Sequence, residues 1–192
     1  MNEMMLSIRG FCAAAAVLAI SACGAAPKAE PATEPRPTTF SVPIFDASGR
    51  GVGTVTAVQR GDSVRMSVRA TGMPAGTHGA HLHEAGMCDA PQFTTAGPHL
   101  NPTMRQHGMR NPRGPHFGDL PNLVVGANGT GSLDATVAGS LTAGVAPIFD
   151  ANGTAFVVHA TADDMVTDPS GNSGARIACA VIAAPNASAI GD

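Results

Sequence analysis

The stretch GTHGAHLHEAGMC, residues 76–88, places His78, His81 and His83 within six positions and ends on Cys88. Four more histidines follow, His99, His107, His116 and His159, in a chain of 192 residues with no tryptophan or tyrosine. Imidazole is the commonest side-chain ligand for transition metals and the usual proton carrier near neutral pH. Side chains two apart on a strand share a face, so a strand over 79–84 lets His81 and His83 hold one ion. His159 ends another apolar run, AFVVHA, and His99 is held between prolines in GPHLNP. In HFGD, Asp119 follows His116 by three residues, and Gly118 permits a tight turn that offers both side chains to one ion. A single histidine is ordinarily a satisfied polar residue. Seven, concentrated at strand ends and in one long loop, point to metal chemistry. Nucleophilic catalysis fits poorly, because no serine sits in a nucleophile-elbow motif. GTHGAHLHEAG also lacks the glycine spacing and the lysine of a phosphate loop.

The elements that must carry these residues read as strands. Val64, Met66, Val68 and Ala70 alternate with Ser63, Arg65, Ser67 and Arg69, the period of a half-buried strand. Leu133, Ala135 and Val137 alternate with Ser132, Asp134 and Thr136 in the same way. Further short apolar runs lie at 52–58, 121–126, 154–159 and 176–183, bounded by turns such as ASGRG, GANGTG and DANG. Many short strands joined by Gly-rich turns predict an all-β antiparallel sandwich or barrel. Two long polar segments, 85–119 and 161–175, interrupt the rhythm, and loops of that length in a compact domain are usually functional. PIFDASG at 43–49 and PIFDANG at 147–153 read as two strand-to-turn junctions rather than a repeat architecture.

The N-terminus reads as a secretory signal over 1–22, with Arg9 before the apolar run FCAAAAVLAI, which is too short to span a bilayer. Ile20-Ser21-Ala22-Cys23 resembles the lipobox of bacterial lipoproteins, in which the cysteine is acylated; ordinary cleavage near Ala22 or Ala26 is the alternative. Residues 23–39 are rich in Pro and Ala and read as an extended tether to a domain over 40–184, followed by a tail at 185–192. With Cys12 in the signal and Cys23 lipidated, Cys88 and Cys179 remain as one pair in a compartment where disulfides persist. Two inert thiols are the alternative. The net charge is −3 and no basic run exists, which argues against a nucleic-acid partner. The expected location is the periplasm, with a lipid anchor as the only membrane contact. Gly24 lacks the aspartate associated with inner-membrane retention, so the outer membrane is favoured.

GTHGAHLHEAGMC, AGPHLNP, QHG, GPHFGDLPNL, VVHATADD and GNSGARIACAVI, in this order from about residue 40 to 184, resemble the motifs of exported bacterial copper/zinc superoxide dismutases. The resemblance implies a Greek-key β-sandwich, a flattened eight-stranded barrel with two long functional loops. It implies copper on His81, His83, His99 and His159, and zinc on His99, His107, His116 and Asp119, with His99 shared. Ligand arithmetic agrees with that sharing. Two four-coordinate ions need eight ligands, and six histidines with one aspartate supply seven. His78 is implied to brace the backbone by hydrogen bonding, and Asp163 to tie His81 to His107. Arg176 is implied to hold the substrate anion beside copper. The implied activity is dismutation of superoxide to dioxygen and hydrogen peroxide, with His99 as proton carrier and zinc in a structural and electrostatic role.

A non-enzymatic copper- and zinc-binding protein on the same fold is the competing reading. A homodimer is compatible with the resemblance, but no stretch of sequence marks its face. The match departs from eukaryotic members at Ala160 and Thr161, where they carry a charged pair, and the 161–175 loop has no basic residue. A net-negative protein that draws in an anion needs a local positive field. Besides Arg176, the candidates for that field are Arg105, Arg110 and Arg113, at least two of which are expected to rim the copper channel.

Overall fold

The computed structural model describes residues 39–141, 148 and 153–182. The signal, Cys23, the tether up to residue 38, most of the PIFDANG junction and the 185–192 tail lie outside the described residues. Among the described residues there are nine strands: β1 (Thr39–Asp46), β2 (Gly51–Arg60), β3 (Ser63–Thr71), β4 (Gly76–His78), β5 (Ala80–His83), β6 (Leu123–Val125), β7 (Thr130–Ala138), β8 (Thr154–His159) and β9 (Arg176–Ile182). They form one antiparallel sheet in the order β4-β6-β7-β3-β2-β1-β9-β8-β5. The two edge strands, β4 and β5, are consecutive in the chain and separated only by Gly79. One bent segment, 76–83, therefore pairs with β6 through its first half and with β8 through its second. The sheet nearly closes on itself, and its two edge strands are only three and four residues long. Counting that segment as one strand gives the expected eight.

Burial follows the alternation of the sequence. Val64, Met66, Val68 and Ala70 of β3 point into the barrel with Leu133 and Val137 of β7, while Arg65 and Arg69 face water. β8 departs from this rule, since all six of its residues are buried. Phe156 and Val158 enter the main core with Ile44, Leu82 and Ile182. On the other face, Ala155 and Val157 form a second small core with Phe93, Ala96 and Cys179. The long loop after β5 lies over that face, and its one regular turn is the 3-10 segment Thr94–Ala96. A strand buried on both faces reads as a continuous apolar run, and TAFVVH does so.

Candidate metal centre

β5 is the axis of the site. His81 and His83 lie on it with no exposed surface, and the backbone of Leu82 between them is held by two loop segments. Leu100 N–H donates to Leu82 O at 2.8 Å, and Leu82 N–H donates to Gly118 O at 2.8 Å. These bonds set His99 opposite His83 and Asp119 opposite His81. Gly118 serves both the tight turn, closed by Asp119 N–H donating to His116 O at 3.3 Å, and a close approach to β5. Its φ is not left-handed, and a Cβ there would collide with Leu82 O. His159 ends β8 at a register shift, and its N–H donates to Gly79 O at 2.8 Å, which turns the ring toward His81.

Four imidazoles, those of His81, His83, His99 and His159, bring one nitrogen each to within 4.8 Å of the others. These nitrogens, His81 Nδ1 and the Nε2 atoms of His83, His99 and His159, are buried and have no hydrogen-bond partner. Buried polar atoms are normally satisfied, and four orphans aimed at one point fit a bound cation. On three of the rings the opposite nitrogen is anchored. His81 Nε2–H donates to Asp163 Oδ2 (2.8 Å), His83 Nδ1–H to Gly97 O (2.8 Å) and His159 Nδ1–H to Gly174 O (3.1 Å). The anchors fix tautomers that leave the orphan nitrogens as lone-pair donors. Burial keeps these rings neutral, pushing His81 down to about 4, His159 to about 3 and His83 to about 2. Four nitrogens with open lone pairs suit Cu(II).

A second set shares His99. Asp119 Oδ1 lies 3.1 Å from His99 Nδ1, 3.0 Å from His107 Nδ1 and 3.4 Å from His116 Nδ1. A tetrahedral zinc with bonds of about 2.0–2.1 Å holds its donor atoms about 3.3–3.4 Å apart. The three nitrogens surround one carboxylate oxygen at 3.0–3.4 Å. The donors that converge mutually within 4.8 Å are those of His81, His99, His107 and Asp119, and His116 Nδ1 stands beside them, 3.4 Å from both Asp119 Oδ1 and His99 Nδ1. The set also favours positive charge. Burial pushes His107 down, but the Asp119 and Asp163 carboxylates on either side outweigh it and raise the ring to about 9. Burial would raise Asp119; its contacts with His107 and His99 and the Gly108 N–H hold it well below the usual carboxylate range instead.

Asp163 links the sets, with Oδ2 on His81 Nε2–H and Oδ1 accepting from His107 Nε2–H at 3.0 Å. Gly171, at φ +64°, passes so close that a Cβ would overlap Asp163 Oδ1. Arg176 opens β9 and donates Nη1 to Phe93 O and Nη2 to Gly97 O, both at 2.7 Å. The Cys88–Cys179 disulfide ties the same loop to the same strand, with Cα atoms 5.8 Å apart. His78 stands outside both sets, its Nδ1 2.8 Å from His159 O and its Nε2 3.0 Å from Pro74 O.

Arg105, Arg110 and Arg113 are exposed on the loop that carries the second set. Arg105 donates to Gly114 O and Arg110 to Asp164 O, so both guanidiniums hold loop carbonyls. Asp134 is engaged by Arg65, Arg69 and Ser67 on the barrel wall. The sequence reading missed the carbonyls of Phe93, Gly97 and Gly174, because backbone acceptors leave no residue-type signal. It also gave no role to Asp168, which accepts the His107 N–H at 2.6 Å.

Residues 51–182 match the family model of copper/zinc superoxide dismutase. The chain belongs to this family. Copper/zinc superoxide dismutase 1 of Aquifex aeolicus is 37% identical over 144 residues, 72% of this chain and 84% of the relative. The copper/zinc superoxide dismutase of Caulobacter vibrioides is 38% identical over 138 residues, 70% of this chain and 79% of the relative. A superoxide dismutase-like protein, YojM of Bacillus subtilis, is 38% identical over 149 residues, 76% of each chain. Among solved structures, the copper/zinc superoxide dismutase of Brucella abortus superposes with a TM-score of 0.57 at 29% identity. That superposition covers 76% of this chain and 99% of that one. Membership in a superoxide dismutase family supports dismutation as the general activity and copper and zinc as the metals of the two histidine sets.

Proposed function

We propose that this chain dismutates superoxide in the bacterial cell envelope, with copper on His81, His83, His99 and His159 and zinc on His99, His107, His116 and Asp119. The observation that carries the reading is the pair of convergent donor sets joined at His99, whose Nε2 serves one set and Nδ1 the other. The bound copper supplies a one-electron couple that turns 2 O2•− and 2 H+ into O2 and H2O2. Arg176 receives the anion, since its guanidinium is fixed by two carbonyls beside the copper set and keeps donor capacity for charge-assisted bonds. His99 would hold copper through Nε2 and zinc through Nδ1, and its Nε2 is the site from which a proton would reach the reduced oxygen species. Asp163 keeps His81 and His107 in orientation throughout.

The competing reading, metal binding without turnover, draws on the word "like" in the YojM name. The retained Arg176, which metal storage does not require, favours the enzyme. Metal analysis of the purified domain together with pulse-radiolysis assay separates the two. One copper and one zinc per chain with rapid superoxide loss supports dismutation. Both metals bound with superoxide decaying no faster than in buffer would establish storage. The envelope location rests on the leader and Cys23, and intact-mass measurement of the mature N-terminus in membrane fractions tests it. A diacylglyceryl mass on Cys23 supports the anchor, whereas an unmodified start near Ala22 or Ala26 refutes it.

A further inference from the structure

We infer that Asp168 is a positioning residue of the zinc set, acting through His116 and through the backbone of His107. The ligand rings show a pattern with one gap. His81 and His107 each donate to Asp163, His83 to Gly97 O and His159 to Gly174 O, while His99 commits one nitrogen to each metal set. His116 is the remaining ligand. Its Nδ1 faces Asp119 Oδ1 and His99 Nδ1, each at 3.4 Å, and its Nε2 faces Asp168 Oδ1 at 3.6 Å. That distance is a charge contact, about 0.7–0.9 Å longer than a charge-assisted hydrogen bond. The same Oδ1 accepts the His107 N–H at 2.6 Å, so one carboxylate oxygen addresses two zinc histidines.

The surrounding chain is built to present it. The Asp164 carboxylate accepts the N–H groups of Val166 and Thr167, and Gly171 N–H donates to Thr167 O, which shapes a turn around Asp168. Arg110 N–H donates to Met165 O, and Asn111 Nδ2 donates to Val166 O and His107 O, strapping that turn to the zinc loop. Asp163 and Asp168 thus divide the work. Asp163, with no exposed side-chain surface, couples both metal sets, whereas the side chain of Asp168 is 48% exposed and touches the zinc set alone. A carboxylate on the outer nitrogen of a ligand histidine fixes the ring and raises its basicity.

The inference rests on the zinc set and not on turnover, so a zinc-affinity measurement tests it whether or not the chain dismutates superoxide. The probe is zinc, titrated into the metal-free mature domain against a chelator. Asp168→Ala is expected to weaken zinc by roughly 10–100-fold, the usual cost of losing such a partner. Asp168→Asn keeps an acceptor for the His107 N–H but loses the charge, and is expected to weaken zinc by less. In the zinc-loaded protein, the His116 Nε2 proton should exchange faster with solvent in both variants, while those of His81 and His107 stay protected by Asp163. A purely structural role would not single out His116. Zinc affinity within twofold of wild type in both variants, or an unmoved His116 proton, overturns the assignment.

Discussion

Replacing Cys88 with serine should separate what the disulfide contributes from what packing contributes. The bridge to Cys179 spans 91 residues of sequence. In the chain-entropy model, closing a loop of that length stabilises the fold by about 4–5 kcal/mol at 25 °C, less any strain. A change of 1 kcal/mol moves the melting temperature of a domain of this size by about 3 °C. The full effect is therefore a fall of about 12–15 °C, and residual structure in the unfolded chain reduces it. Phe93 and Ala96 still pack on Ala155 and Val157 without the bridge, and the leftover Cys179 is a buried thiol that behaves as a small apolar residue. A fall of roughly 6–15 °C is the working range. The loss should reach the copper set as well, because Gly97 O accepts from both His83 Nδ1 and Arg176 Nη2 on the loop that the bridge pins. Calorimetry of the oxidised metal-free protein and the copper release rate of the loaded protein give the two readouts. Melting within 3 °C of wild type with unchanged copper release would show that packing alone holds the loop.

His159→Ala should abolish dismutation and leave zinc bound, because His159 belongs only to the copper set; equal loss of both metals would refute the division. In the metal-free protein, His81, His83 and His159 have folded pKa values depressed to about 4, 2 and 3 by burial. The unfolded chain takes up protons there first, so stability should fall as pH drops from about 6.5 toward 4. His107, raised to about 9, works oppositely: its contribution is complete below about 6.5 and is lost as pH rises through 9. A melting temperature that is flat between pH 7 and 4.5 would contradict this balance. Replacing Arg105, Arg110 and Arg113 together with Gln should slow the reaction at low salt and flatten its ionic-strength dependence, with metal content unchanged. Exposed charges steer within about 10 Å at 0.1 M salt, and an unaltered salt slope would place the steering field elsewhere.

The sequence exposed the ligands far better than the means of holding them. Histidine is scarce, so its clustering at 78–83 stands out, and alternation in β3 and β7 locates the barrel wall with little ambiguity. Closure of the barrel by the bent segment 76–83 was not legible, because pairing partners are set by packing across the whole sheet rather than by local pattern. β8 shows the same limit. Its apolar run signals burial on both faces but does not say that the 84–98 loop supplies the second cover. Gly118 was read as a turn residue, and the turn is there, but its close approach to Leu82 O was not legible, since composition does not distinguish the two uses of glycine.

Between β5 and β6 the chain runs through 84–122 with one short 3-10 turn, and between β8 and β9 it runs through 160–175 with no strand. Segments of this length need something to order them, because they bury few apolar side chains of their own. What they bury instead is polar: His99, His107, His116, Asp119 and Asp163 are all nearly inaccessible. Such groups cost stability when they are unpartnered, and five ligand nitrogens of the two sets lack hydrogen bonds. Metal coordination satisfies those nitrogens, so binding free energy becomes ordering free energy for the loops. The barrel needs no such help, since its core of Ile44, Met66, Leu82, Phe156 and their neighbours is apolar and closed. β5 and β8 belong to both systems, with Leu82, Phe156 and Val158 in the core and His81, His83 and His159 in the site. Metal binding therefore adds to the order that the disulfide and the Phe93 packing already give the loops, while the strand that presents the first two ligands is held by the core.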